Sequence, residues 1–314
     1  MRYAVLFPGQ GSQFVGMGAD LFDARPDLLG DRADTVLGWS LRSLCLEGPE
    51  DELTRTEHAQ PALFALGFAA WQELSVRVGH PPSAAAGHSL GEYTALAAAG
   101  VISFEDGLRL VAERGLAMAR AADREPSGMA ALLGAGIELA EEVAVHRREQ
   151  GGRLHVANDN APGQVVVAGG AADLEWLEAH GRGLGVRRVV RLAVAGAFHS
   201  PFMEPAAEMV AKAVAETRFE PAAFPVYANV TACPASVAEI PGLLVSQVVE
   251  RVRFAETVRA MTAAGIRVFV HVGPGDITAG MARRIAPDAT VLVAGTIESL
   301  PATVSALSEG PEDR

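Results

Sequence analysis

Apolar and polar positions along this 314-residue chain change their spacing several times, and each change marks a predicted element. Residues 4–7 form a short unbroken apolar run, which predicts a buried strand leading into the glycine- and glutamine-rich loop FPGQGSQ. A second such run precedes Gly87, where SAAAGHSLGEYTALAAAG passes from small apolar residues through a tight turn into an apolar helix. From Met129 the pattern changes. MAALLGAG reads as a strand, residues 138–149 as a charged helix, LHVAN and QVVVAGG as two strands, residues 171–180 as a helix and VRRVVRL as a closing strand. The order βαββαβ predicts a ferredoxin-like unit over residues 127–193, inserted in a larger α/β domain formed by residues 1–126 and 194–314. Beyond it the pattern predicts a helix over 205–217, a strand at FPVYANV, a helix over 252–265, and a strand RVFVHVG that ends in the turn GPGD. The tail SEGPEDR reads as disordered.

Composition narrows the core. Hydrophobic residues make up 49% of the chain but aromatic ones only 6%, so packing relies on small and aliphatic side chains, as where helices press on a sheet. The net charge of -12 disfavours nucleic acid and anionic membranes as partners. No apolar run approaches the roughly 20 residues of a membrane span, and the start MRYAVLFPGQ lacks the features of an export signal, so a cytoplasmic location is expected. The two cysteines, Cys45 and Cys233, have neither metal-ligand spacing nor a disulfide framework, and both are expected in the core. Arg187, Arg188 and Arg191 form one basic segment, and Arg251 with Arg253 another. Each is either a solvated face or a patch for an acidic protein.

Four segments carry candidate chemistry. In GHSLG, glycines on both sides permit a sharp strand-to-helix turn that presents Ser89 as a nucleophile, with the amide of Leu90 placed to receive an oxyanion. A serine nucleophile needs a base. His88 is adjacent, but neighbouring residues on such a turn point apart. His199, which closes the apolar run VVRLAVAGAF at the start of a loop, is the better placed, and a structural histidine is the alternative. Arg114 falls on the apolar stripe of its helix beside Leu110, Val111, Ala117 and Met118, whereas Arg109 lies among Glu105 and Glu113 on the polar face. A guanidinium on a buried face needs an anionic partner, either a protein carboxylate or a substrate carboxylate. In FPGQGSQ the loop holding Gln10 and Gln13 can offer backbone amides. It lacks a third spaced glycine and a phosphate-binding lysine, so no nucleotide site is expected.

Taken together, FPGQGSQ, GHSLGEYTAL, the arginine of AERG, ANDNAPGQVVVAG, GAFHSPFM and HVGPGD resemble the malonyl-coenzyme A:acyl carrier protein transacylase family, in family order across nearly the whole chain. The resemblance implies a hydrolase-like α/β large domain with a parallel-rich sheet, a ferredoxin-like insert, and an active site between them. It implies Ser89 as nucleophile, His199 as base, Gln10 and the amide of Leu90 as oxyanion hole, and Arg114 as clamp for the malonyl carboxylate. Asn158 and Asn160 match asparagines of the family's cleft segment, and Gln247 matches the glutamine whose main-chain carbonyl orients the histidine. Phe198, beside the base, accompanies malonyl rather than methylmalonyl in related polyketide enzymes. The implied partners are malonyl-coenzyme A and an acidic acyl carrier protein, and the implied cofactor is none. Because the chain itself is negatively charged, Arg187, Arg188 and Arg191, just before His199, are the expected docking surface for the carrier. Two segments depart from the pattern: VSQVVERVRF replaces the usual glutamine segment, and Asp276 stands where lysine is usual. A serine acyl hydrolase and a non-catalytic carrier-binding protein are the rival readings, and fatty-acid synthesis and a trans-acting polyketide system both remain open.

Overall fold

Unbroken apolar runs are the signature of strands buried on both faces, and the first of them, Tyr3–Phe7 (β1), has no exposed residue. The computed structural model describes residues 1–308. Its further strands are Ala84–Gly87 (β2), Ser127–Leu133 (β3), Leu154–Ala161 (β4), Gln164–Gly170 (β5), Arg188–Arg191 (β6), Val268–Val272 (β7) and Thr290–Ala294 (β8). They form two sheets. One is parallel, in the order β2-β1-β7-β8, and the other antiparallel, in the order β4-β5-β3-β6.

In the parallel sheet every strand ends at the same edge, so the loops FPGQGSQ, GHSLG and GPGD after β1, β2 and β7 converge there. Ligands in open α/β sheets are met at that carboxyl edge. The helix Thr56–Val78 is apolar nearly all round and correspondingly buried. It packs against the helix Phe104–Ala122, whose Gly107 faces Phe64 so closely that a Cβ would meet the ring at 2.3 Å. This is the small-residue packing that the composition implies.

The antiparallel sheet with the helices Ile137–Glu149 and Ala171–His180 follows the order βαββαβ, with β3 and β5 central, as a ferredoxin-like unit requires. It is stitched to the chain beyond it: the Asp159 N–H donates to the Val252 carbonyl at 2.9 Å, and the Val252 N–H donates to the Ala157 carbonyl at 2.9 Å.

Two sequence expectations are corrected, and a third lies almost wholly outside the described residues. FPVYANV forms no strand. It makes single bridges, Ala85 with Val226 and Tyr227 with Pro234, because the chain turns back at once, with Ala232 at φ 56° and the Ala228 N–H on the Cys233 carbonyl. Cys233 sits exposed in that turn rather than in the core, whereas Cys45 is buried and its thiol is pushed up to about 12 by desolvation. The tail SEGPEDR lies outside the described residues except for Ser308, which ends the helix Leu300–Ser308.

Candidate active site

The turn between β2 and the helix Gly91–Ala98 is possible only with glycine at its two flanks. A Cβ on Gly87 would lie 1.8 Å from the Gly91 carbonyl carbon, and one on Gly91 would lie 2.3 Å from the Phe7 carbonyl oxygen. Ser89, between them, takes a left-handed conformation with φ 51°, which carries its side chain out of the turn. Asn229 holds the elbow from the side. Its Oδ1 accepts from the Ser89 N–H at 2.7 Å while its Nδ2 donates to the Gly87 carbonyl at 2.7 Å.

His199 enters from the loop after β6, also in a left-handed conformation with φ 57°. Its Nε2 lies 2.8 Å from Ser89 Oγ and its Nδ1 2.8 Å from the main-chain carbonyl of Gln247, on the helix Ile240–Val249. A carbonyl only accepts, so Nδ1 carries the proton and Nε2 presents its lone pair to the serine. Burial, reinforced by the nearby charge of Arg114, pushes His199 down to about 3, which keeps the imidazole neutral near pH 7. His88 points elsewhere, its Nε2 2.7 Å from Asn160 Oδ1.

Arg114 is 1% exposed. Its Nη2 donates to Ser89 Oγ at 2.9 Å and to Gln247 Oε1 at 2.9 Å, and its Nη1 donates to Gln60 Oε1 at 2.6 Å. All three acceptors are neutral. Among the described residues no carboxylate forms an ion pair with it, and its buried Nε has no partner. The serine and the guanidinium therefore share one hydrogen-bonded cluster, with Gln247 as its hub. The Gln247 carbonyl fixes His199, its Oε1 takes Arg114, and its Nε2 donates to the Ser89 carbonyl at 3.0 Å and to Glu92 Oε2 at 2.6 Å.

A cleft of about 430 Å³ opens in front of this cluster. Gln10, Ser89, Leu90, Arg114, Asn158, Asn160, Phe198 and His199 all line it, and among the described residues no aspartate or glutamate does. Its other walls include Met118, Met129, Val166 and Leu192. The amides of Gln10 and Leu90 donate to no acceptor among the described residues, and the Gln10 side chain is held by Thr56 Oγ1 at 3.3 Å.

The basic segment is split by strand alternation. Arg191 turns to the helix Ala171–His180, where Glu178 pairs with it at 2.8 Å, while Arg187 and Arg188 are exposed without a carboxylate partner among the described residues. Arg251 and Arg253 are both paired, with Glu141 at 2.7 Å and with Glu256 at 2.5 Å. Arg109 pairs with Asp106 rather than with Glu105 or Glu113. Asp276 is exposed beside Ile277 at the cleft rim.

Sequence reasoning missed Gln60, Glu92 and Asn229. Gln60 and Glu92 did leave a trace, as polar residues inside otherwise apolar helical stretches. Asn229 left none, since its role depends on a turn that was expected to be a strand.

A parallel sheet with a serine elbow at its carboxyl edge and a histidine on that serine defines a class, and the acyl transferase domain model matches residues 5–297. The malonyl CoA-acyl carrier protein transacylase of Bacillus subtilis is 37% identical over 311 residues, covering 98% of both chains. The acyl-carrier-protein-S-malonyltransferase of Bartonella henselae superposes with a TM-score of 0.93 at 37% identity, covering 98% of this chain and 100% of that one. A malonyl-transacylase in complex with its type II PKS acyl-carrier protein gives a TM-score of 0.93 at 36% identity, covering 98% and 100%. The chain belongs to the malonyl-CoA:acyl carrier protein transacylase family.

Proposed function

We propose that this chain transfers a malonyl group from malonyl-coenzyme A, through an ester on Ser89, to the phosphopantetheine thiol of an acyl carrier protein. The observation that carries the reading is Arg114: a buried cation with only neutral partners, 2.9 Å from Ser89 Oγ, in a cleft without carboxylates. Among the described residues no anion touches the guanidinium directly; a carboxylate on the acyl group would, and a guanidinium pairs with it in two-pronged fashion.

In the first half-reaction Ser89 Oγ attacks the thioester carbon as its proton passes to His199 Nε2. The oxyanion meets the amides of Leu90 and Gln10, and coenzyme A leaves with the proton returned by His199. The carrier thiol then runs the same steps in reverse, so the kinetics are ping-pong. Asn158 and Asn160 offer amide groups along the cleft. One thioester is exchanged for another, and the dyad needs no cofactor.

Intact-mass analysis after mixing with malonyl-coenzyme A is expected to show one malonyl adduct, which a holo carrier protein removes as malonyl-carrier. Rapid release of free malonate without a carrier would make the chain a hydrolase, and no adduct at all would make it a binding protein.

Phe198, 5% exposed, lines the cleft beside His199, where its ring would meet an α-methyl branch on the acyl group. Malonyl is therefore expected over methylmalonyl by about 1 to 3 kcal/mol, the range available from one methyl group in an apolar pocket. Phe198→Ser is expected to narrow that gap without faster malonyl transfer, measured by competition between the two thioesters.

An acidic carrier approaching a chain of net charge -12 needs local basic surface, and of the segment after Gly185 only Arg187 and Arg188 remain unpaired among the described residues. Charge reversal at Arg188 is expected to raise the KM for the carrier, with an effect that shrinks as salt is added, while loading from malonyl-coenzyme A is unchanged. Equal loss of both half-reactions would assign Arg188 to folding instead.

A further inference from the structure

The charge balance around Arg114 is completed one residue away. Glu92, on the first turn of the helix Gly91–Ala98, is 3% exposed and makes no direct contact with the guanidinium. Its Oε2 accepts from the Asn229 N–H at 3.0 Å and from Gln247 Nε2 at 2.6 Å, while Gln247 Oε1 accepts from Arg114 at 2.9 Å. One carboxamide thus bridges a buried cation and a buried anion.

We propose that Glu92 is the exchangeable counter-ion of Arg114, ionised in the free site on the alkaline side of neutrality and protonated once a malonyl carboxylate pairs with the guanidinium. This rests on Arg114 being the carboxylate clamp. Two ionised carboxylates around one buried guanidinium would leave a net negative charge out of water, which is costly, and a carboxyl group relieves that by binding a proton.

Glu92 is already poised to do so. Burial raises it to about 7, against the lowering effects of the Asn229 amide, the Gln247 side chain and Arg114. A substrate carboxylate cancels the contribution of Arg114 and raises it further. The titratable groups facing Glu92 are Arg114 from the helix Phe104–Ala122 and Tyr93 on its own helix. Tyr93 is pushed up to about 12 by burial and stays neutral. The helix Ile240–Val249 and the Asn229 loop contribute only the carboxamide of Gln247 and a backbone amide, and Gln247 separates Glu92 from His199.

The sign follows from linkage. Glu92 in the free site loses its proton as pH rises through about 7, and in the malonyl-enzyme it holds the proton to higher pH. Between those two values malonyl loading takes up a proton, so it weakens as pH rises, approaching about tenfold per pH unit for one proton. Acetyl loading, which adds no carboxylate, takes up none.

The test equilibrates the enzyme with malonyl-coenzyme A, acetyl-coenzyme A and free coenzyme A, and reads the ratio of the two acyl-Ser89 masses from about pH 6.5 to about pH 8.5. Ionisation of the coenzyme A thiol cancels in that ratio, and His199, near 3, does not titrate in the window. The wild-type ratio is expected to fall as pH rises, and in Glu92→Gln to stay flat at or above the wild-type acid value. A flat wild-type ratio, or an unchanged slope in Glu92→Gln, overturns the proposal. Should that variant fail to fold, wild-type proton uptake decides. A pH-indicator dye is expected to register uptake per malonyl loaded and none per acetyl, and equal readings overturn the proposal. Absence of any malonyl adduct would instead defeat the transfer reading itself.

Discussion

Ser89→Ala is expected to leave no covalent malonyl adduct on the protein and to cut transfer by roughly six orders of magnitude, the scale on which a serine nucleophile of a catalytic cluster is lost. The fold should survive the change. Arg114 loses one of three acceptors and keeps Gln60 and Gln247, His199 keeps the carbonyl of Gln247, and the elbow is held by backbone and by Asn229 rather than by the hydroxyl. Intact mass reads the adduct, and thermal unfolding beside the wild type reads the fold. An adduct that persists would place the nucleophile at another side chain, and a collapsed fold would deny the test its meaning for chemistry.

Arg114→Ala carries the second large effect. Removing one member of a charge-assisted pair in a closed site costs about 2 to 5 kcal/mol, so malonyl loading is expected to fall roughly 30- to 5000-fold. Acetyl loading makes no use of the guanidinium and should fall far less, so the malonyl-to-acetyl ratio is the quantity to read. It also separates clamp from scaffold. Gln60 and Gln247 both lose a partner in this variant, and the resulting slackening of the cluster would depress both acyl groups alike. An unchanged ratio would confine Arg114 to holding the helices together.

Much of this site is legible in the sequence because its residues sit where local rules change. Ser89 stands between two glycines that the turn demands, and Arg114 interrupts an apolar stripe. The strands β1 and β7 are plain as apolar runs, and the insert from its βαββαβ order. Less legible were the contacts that join distant segments. Gln247 sits on a ten-residue helix that the pattern did not reveal; the family resemblance pointed to its carbonyl on His199, but the contacts of its Oε1 and Nε2 are set only by packing. Asn229 reaches Ser89 because Tyr227 and Pro234 close a turn where the sequence suggested a strand. Arg191 belonged by spacing to a basic segment, but the pleat of β6 sends it to Glu178 on the helical face.

Ser89 and His199 share the left-handed backbone region, at φ 51° and 57°, where side chains with a Cβ are rarely at ease. Each such residue holds about 1 to 3 kcal/mol that the rest of the molecule must offset. Glycine at either position would release part of it, so a laboratory search rewarding heat tolerance alone would drift toward losing the very pair proposed to perform the transfer. Screens for robust variants of this enzyme therefore need turnover as a second criterion, applied in every round.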